Sequence, residues 1–137
     1  MLIAPASLED EARTVALWER AGLTRPWNDP SADFIRALKR EQATVLIATE
    51  GDSLRGSVMV GDDGHRGWMY YLAVADDARR SGTGAALVRA AEVWLVQRGQ
   101  TRVRLMVRNE NHAVLDFYGG LGYTYQDCVV LGRTLDA

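Results

Sequence analysis

Cysteine is nearly absent from this sequence. Cys128 stands alone among 137 residues, which excludes an internal disulfide and a cysteine-built metal cluster. Histidine is almost as scarce: His65 and His112 lie far apart with no zinc-ligand spacing, so no metal is expected. A basic excess is missing too, since 16 Lys and Arg face 18 Asp and Glu for a net charge of -2. Nucleic-acid and membrane-surface proteins usually carry a strong positive balance. A local basic patch stays open, because Arg79, Arg80, Arg102, Arg104 and Arg108 fall near one another. No apolar run approaches membrane-spanning length, and the opening MLIAPASLED turns acidic too early for a secretory signal. The expectation is a cytoplasmic protein whose partners are neither nucleic acid nor membrane. Repeats, low-complexity tracts and linkers are lacking as well.

What is present is an ordinary globular composition, 47% hydrophobic and 25% charged, in a length that suits one domain over 1–137. Residues 2–4 read as a short strand ended by Pro5. Ser7 then opens a capping-box-like SLED, with Leu8, Ala12, Val15 and Trp18 at helical spacing and Gly22 as the stop. TRPWNDP is too rich in Pro, Asn and Asp for regular structure, and Asp29–Pro30 make a helix start for residues 31–40. TVLIATE (44–50) and LRGSVMV (54–60) read as a hairpin, and WMYYLAV (68–74) as a third strand after the polar GDDGHRG. A helix follows over 82–98, with Leu87, Ala90, Ala91 and Trp94 on one face. TRVRLMV (101–107) alternates as a strand, Asn111 caps a short helix to about 118, and YTYQDCVVLGRTL supplies one or two final strands. Cys128 is expected to be a small core residue of such a strand.

The strands flanking the 82–98 helix are joined by a crossover, so they should lie parallel within a mostly antiparallel sheet. The fold class is therefore α+β, a mixed sheet with helices on both faces. Between strand and helix stands RRSGTG (79–84). The first turn of a helix carries orphan N–H donors and partial positive charge, so this is the geometry of an anion site. Gly82 and Gly84 allow close backbone approach, and Arg79 and Arg80 add charge. No Gly-Lys-Ser/Thr is present for a nucleotide-triphosphate loop. Leu87 occupies the place where a dinucleotide fingerprint needs its third glycine or alanine. The alternative for the loop is a helix start that uses glycine only for tight packing.

These residues resemble the GNAT superfamily of acetyl-CoA-dependent N-acetyltransferases. Its core motif, Arg/Gln-x-x-Gly-x-Gly/Ala at the head of a helix, is matched by Arg79, Gly82 and Gly84 within LAVADDARRSGTGAAL. A second motif is matched by NHAVLDFYGGLGY, with Asn111, Tyr118, Gly122 and Tyr123 in place, and IAPASLED is similar to the usual opening. RPWNDP and GDDGHRGWMYYLAV further resemble a small bacterial subgroup whose members are called acetyltransferases by prediction. The resemblance implies two splayed parallel strands making a cleft for acetyl-CoA, with no metal. It implies that Leu72, Ala73 and Val74 offer backbone groups to the pantetheine arm and acetyl carbonyl. The main-chain amides of Arg80, Ser81, Gly82, Thr83 and Gly84 would take the pyrophosphate, Asn111 would touch the coenzyme, and Tyr118 would face the sulfur as general acid.

The implied reaction moves acetyl to a primary amine of a small molecule or peptide in a ternary complex. The alternative is an acyl-CoA sensor on the same fold without turnover. A dinucleotide oxidoreductase is the more distant reading. The resemblance supplies no base, because the places where many members carry a carboxylate hold Trp68 and Met106. Local candidates are Asp62, Asp63 and His65, with Tyr70 and Tyr71 on the strand, or a water chain. Trp27, Asn28, Asp29 and Tyr70 are the expected acceptor contacts, Asp29 with a competing role as helix cap. Val129, Val130 and Leu131 could pair across a dimer, so monomer and homodimer both stay open.

Overall fold

A computed structural model describes residues 1–136. The chain divides into two compact units, Met1–Met106 and a second from Val107 onward. The first is a five-stranded sheet in the order β1-β2-β3-β4-β5, formed by Leu2–Pro5, Ala43–Glu50, Ser53–Asp62, Gly67–Val74 and Val103–Arg104. The first four strands run antiparallel to their neighbours and β5 runs parallel to β4, the mixed pattern that the crossover dictates.

Capping and spacing fix the helices. The SLED segment forms a 3-10 turn, Leu8–Asp10, in which the Asp10 carboxylate accepts from the Ser7 N–H at 2.8 Å. Helix α1 then runs Glu11–Arg20. Helix α2, Pro30–Lys39, starts on Asp29, whose carboxylate accepts from the Ala32 N–H at 3.1 Å. Both helices bury Val15, Leu17, Trp18, Phe34 and Ala37 against Val45, Ile47, Met59 and Ala73 of the sheet. Helix α3, Thr83–Val96, buries Leu87, Val88, Ala91, Trp94 and Leu95 against β2, β3 and β4. Its approach is close because two facing strand positions have no side chain. A Cβ at Gly56 would lie 2.8 Å from Leu87 Cδ1 and 2.9 Å from the Ala73 carbonyl oxygen; one at Gly67 would lie 2.6 Å from Leu95 Cδ1.

The second unit holds α4, His112–Gly120. Asn111 caps it by accepting from the Val114 N–H at 3.3 Å. The Tyr118 ring packs edge-on to Phe117 and Tyr123, with centroids 5.0 and 5.4 Å away.

Three expectations need correction. The strand expected over 101–107 pairs only at Val103 and Arg104, because β5 leaves β4 after the Trp68–Arg104 pair and a strand exists only where a ladder holds it. The final strands expected after Tyr123 are not formed among the described residues. Val129, Val130 and Leu131 are exposed, up to 90% at Leu131, so their β-propensity finds no surface to pack on. Cys128 is exposed for the same reason and is not a core residue. Among the described residues no helix is long and apolar enough to cross a membrane.

The seating of α3 yields a stability prediction. Gly56→Ala should cost about 1–3 kcal/mol, because the new methyl meets backbone as well as side chain. Gly119→Ala, whose added Cβ meets nothing within 4 Å, should be neutral or stabilising by up to about 1 kcal/mol. Urea melts of both variants measure the contrast, and equal effects would contradict the close approach.

Candidate active site

Strand β4 carries an irregularity that organises the site. Ser57 pairs with Ala73 and Met59 with Tyr70, so two steps along β3 match three along β4. The extra residue is a β-bulge, and Tyr71 within it has φ +54°. A bulky side chain at positive φ costs on the order of 1–3 kcal/mol, so its surroundings must hold it. They do so from three directions. The Tyr71 ring stacks on Trp18, with centroids 4.0 Å apart and planes 9° from parallel. Its hydroxyl donates to Asp33 Oδ2 at 2.7 Å. Trp18 Nε1–H donates to Ser57 Oγ at 2.8 Å, and that hydroxyl is directed at the Tyr71 carbonyl at 3.5 Å. Trp18 and Ser57 are both fully buried.

The bulge resets the alternation of the strand. Ordinary pleating sends consecutive residues to opposite faces, yet Tyr70 and Tyr71 line the same cavity. That cavity has a volume of about 340 Å³ and lies between α2 and the first half of β4. Trp68, Tyr70, Met59, Ala37 and Ala43 give it apolar walls, and its polar groups come from Asn28, Asp33, Arg36, Arg40 and Tyr71. The Tyr71 phenol is pushed above its ordinary range, first by burial and then by the Asp33 carboxylate it bonds and the charge of Asp29. These effects favour the neutral phenol, which donates its hydrogen bond to Asp33. A larger groove of about 610 Å³ lies on the α1 side, between Arg13, Arg20, Arg55 and Asp52, Asp76, Asp77. One ion pair lies within it, Arg55–Asp77 at 3.0 Å, while Arg13 and Asp76 pair with Asp10 and Arg79 outside it.

Beyond Trp68 no β5 residue pairs with β4, so the backbone edge of residues 69–74 faces the gap where the two strands part. At the end of β4 the chain makes a 3-10 turn, Asp76–Ala78, and reaches the glycine loop. Arg80 and Gly82 are both left-handed, at φ +63° and +84°. The Ser81 hydroxyl bonds the Ala78 carbonyl and lies 2.8 Å from the Thr83 hydroxyl, which fixes the loop from within. The first hydrogen bond of α3 runs from the Ala86 N–H to the Gly82 carbonyl at 3.0 Å, so the amides of Thr83, Gly84 and Ala85 have no helical acceptor. A Cβ at Gly82 would meet nothing within 4 Å, so the mouth of the loop is open. Arg79 pairs with Asp76 at 3.3 Å while both remain largely exposed. Such a loop suits a pyrophosphate, with converging amides, a helix N-terminus and two exposed arginines.

In the second unit Tyr118 is buried, and burial pushes its hydroxyl up to about 12. Asn111 spends Oδ1 on the helix cap and keeps its amide N–H groups as donors. The other expected residues divide. Tyr70 and Asn28 line the cavity, and Asp29 serves as the α2 cap. Trp27 is 73% exposed and outside the cavity wall. His65, Asp62 and Asp63 also lie outside it. Asp62 accepts from the Gly64 N–H at 2.7 Å. Asp63 accepts from the His65 and Arg66 N–H groups at 2.8 and 2.9 Å, and those bonds hold its carboxyl below the usual range. His65 Nε2 lies 2.7 Å from Arg66 Nη2; a guanidinium only donates, so that lone pair is engaged. Asp33 is the residue that sequence reasoning passed over, along with Arg36 and Arg40. Their signal was the i, i+3, i+7 spacing of charge in and just after α2.

The burial of Tyr118 has a measurable sign. Its pKa in the fold exceeds the ordinary 10, so folding favours the neutral phenol. That contribution is complete below pH 10 and is lost as pH rises toward 12. Tyrosinate absorbance titrations of wild type and Tyr118→Phe should differ by one group ionising near pH 12. A difference group at pH 10 would place this phenol in water.

Comparison with known proteins agrees with this geometry. Residues 8–123 match the acetyltransferase (GNAT) family profile. A protein named an acetyltransferase in Pectobacterium atrosepticum is 43% identical over 127 residues, spanning 93% of this chain and 90% of that one. An acetyltransferase of Yersinia pseudotuberculosis is 42% identical over the same length, with the same shares. Among solved structures, AAC(6')-Iy in complex with the bisubstrate analogue CoA-S-monomethyl-acetylneamine superposes with a TM-score of 0.84 at 16% identity, over 98% of each chain. The aminoglycoside 6'-N-acetyltransferase AAC(6')-IG of Acinetobacter haemolyticus gives 0.79 at 21% identity, over 99% of this chain and 100% of that one. At those identities the structural likeness is one of fold, while the profile spans the bulged strand, the glycine loop and the Tyr118 helix together. This chain belongs to the GNAT family of acetyltransferases.

Proposed function

We propose that this acetyltransferase moves acetyl from acetyl-CoA to a primary amine by direct attack in a ternary complex. The observation that carries the reading is the sequence of features along β4: a bulge, an unpaired edge, then a left-handed loop opening α3. The loop amides of Arg80, Gly82, Thr83 and Gly84 would bind the pyrophosphate, assisted by the Arg79 and Arg80 guanidinium groups, whereas the expected Ser81 N–H is already given to the Ala78 carbonyl at 3.3 Å. The free edge at Leu72, Ala73 and Val74 would hydrogen-bond the pantetheine amides much as an added strand would. When bound, acetyl-CoA supplies an activated acyl group as a thioester. The Val74 amide is placed in this reading as the donor to the acetyl oxygen, where negative charge develops. Asn111 contributes a coenzyme contact, and Tyr118 hydrogen-bonds the departing sulfur.

The acceptor would enter the cavity of Asn28, Tyr70 and Tyr71, approached past the Trp27–Asp29 segment. AAC(6')-Iy, which shares the fold, was solved with an analogue joining CoA to acetylneamine, which supports an amine acceptor here. A lysine-like amine has a pKa of about 10.4, so only on the order of one in a thousand is neutral at pH 7. Tyr71 holds its own proton, and Asp63 and His65 are occupied with their loop. We therefore assign loss of the ammonium proton to water at the cavity mouth.

Gly82→Asp would set a carboxylate where the phosphate belongs; its Cβ meets no atom within 4 Å, and the left-handed φ of +84° should cost about 1 kcal/mol of stability. Calorimetry should show acetyl-CoA affinity falling by at least about tenfold in a protein that still melts cooperatively a few degrees below wild type; unchanged affinity would remove the loop from the site.

Tyr118→Phe keeps the ring and removes the donor. Thiol-release assays should show kcat lowered by about 100-fold, the low end for a general acid since a phenol near 12 is a weak one, with coenzyme affinity retained. Asp63→Ala and His65→Ala should keep the wild-type pH–rate profile. Loss of the basic limb in either would return the proton to that loop.

A further inference from the structure

The cavity's own charges narrow the acceptor, given the acyl-transfer reading above. Asp33, Arg36 and Ala37 stand at i, i+3 and i+4 in α2, Arg40 is the extended residue that ends it, and all four line the cavity. The helical spacing places the first three on one face, and Arg40 joins them at the C-terminal end of α2, roughly two turns or about 10 Å from Asp33. The lining thus carries one carboxylate and two guanidinium groups, and the Asp29 carboxylate, whose charge reaches Tyr71, stands at the other end of α2 from Arg40, so the acidic and basic groups are segregated along the cavity.

The carboxylate is also the better satisfied group. Asp33 Oδ2 accepts from the Tyr71 hydroxyl at 2.7 Å, and its Oδ1 lies 3.4 Å from Arg36 Nη2. Arg40 is exposed at the end of α2 and has no carboxylate partner among the described residues. A polycationic acceptor would bring its second ammonium against two guanidinium groups. An acceptor bearing an acid would meet them favourably.

We propose that the acceptor is an amine carrying a carboxylate or other anionic group several bonds away. Its amine sits at Asp33 and the Tyr71 hydroxyl, beside the bulge in β4, and its acid sits at Arg40 with help from Arg36. Trp68, Tyr70 and Met59 cover the apolar stem between the two ends. The separation of the charges excludes an acid on the carbon next to the amine. In the reaction the ammonium gives one proton to solvent and the nitrogen lone pair forms the N–C bond. The C–S bond then breaks, and the second nitrogen proton ends on the coenzyme sulfur, giving the amide, free coenzyme A and one released proton.

The test uses three acceptors with a common six-carbon stem: aminocaproate, hexylamine and hexamethylenediamine. With the full chain and saturating acetyl-CoA, kcat/KM for aminocaproate should exceed that for hexamethylenediamine by about tenfold, chiefly through KM, with hexylamine between. Arg40→Glu should invert that order while acetyl-CoA affinity and melting temperature stay at wild-type values. A diamine that equals or beats aminocaproate on the wild-type protein, or an unchanged order in Arg40→Glu, overturns the proposal. Calorimetry of the same compounds in the presence of coenzyme A reads the cavity without turnover and should give the same order. Binding in that order with no acetylated product would defeat the acyl-transfer reading and leave the charge assignment standing. Turnover without the order, or binding that does not distinguish the compounds, would do the reverse.

Discussion

The backbone of Tyr71 is the constraint on which the first unit turns. A tyrosine at φ +54° in mid-strand is held by a ring from α1, a carboxylate from α2 and a serine from β3. Those partners lie 53, 38 and 14 positions away in sequence (Trp18, Asp33 and Ser57), so the strained residue ties four elements at one point. Its effect on register is large, because a shift of one residue exchanges the faces of a strand. Without the extra residue, Tyr70 and Tyr71 would diverge and the cavity would lose a wall.

The close seating of α3 supplies the complementary constraint. Thr83 and Leu87, in its first two turns, pack over Gly56, which fixes the helix N-terminus near the end of β4. The amides that head α3 gain their use from that position, since an anion at a helix terminus is stabilised only within the first turn. In the proposed site, core packing and ligand geometry would be the same contacts, with Thr83 in both.

The readable parts of this chain were those determined locally. The glycine loop, the Asp29 cap, the hairpin and the crossover helix depend on residue types a few positions apart, and the structure has them close to where the pattern placed them. Tyr71 was illegible because WMYYLAV has the composition of an uninterrupted strand; the bulge arises from Trp18 and Asp33, which lie in other segments. Asp33, Arg36 and Arg40 drew no reading from sequence, since charge in and just after a helix is ordinarily solvated and only the fold reveals that β4 stands opposite. The segment after Tyr123 erred the other way. Val129, Val130 and Leu131 have strand-like side chains, but a strand also needs a neighbour, and composition does not specify one.

The parting of β4 from β5 has a consequence for solution behaviour. Residues 69–74, Met-Tyr-Tyr-Leu-Ala-Val, form six successive strand positions with neither charge nor proline. Sheet borders of this kind recruit other chains unless guarded, and the usual guards are lysine, proline or a bulge. Of these, residues 69–74 themselves supply the bulge. A coenzyme bound along that edge, as proposed above, would also shield it from pairing with other chains, so aggregation should depend on whether the site is filled.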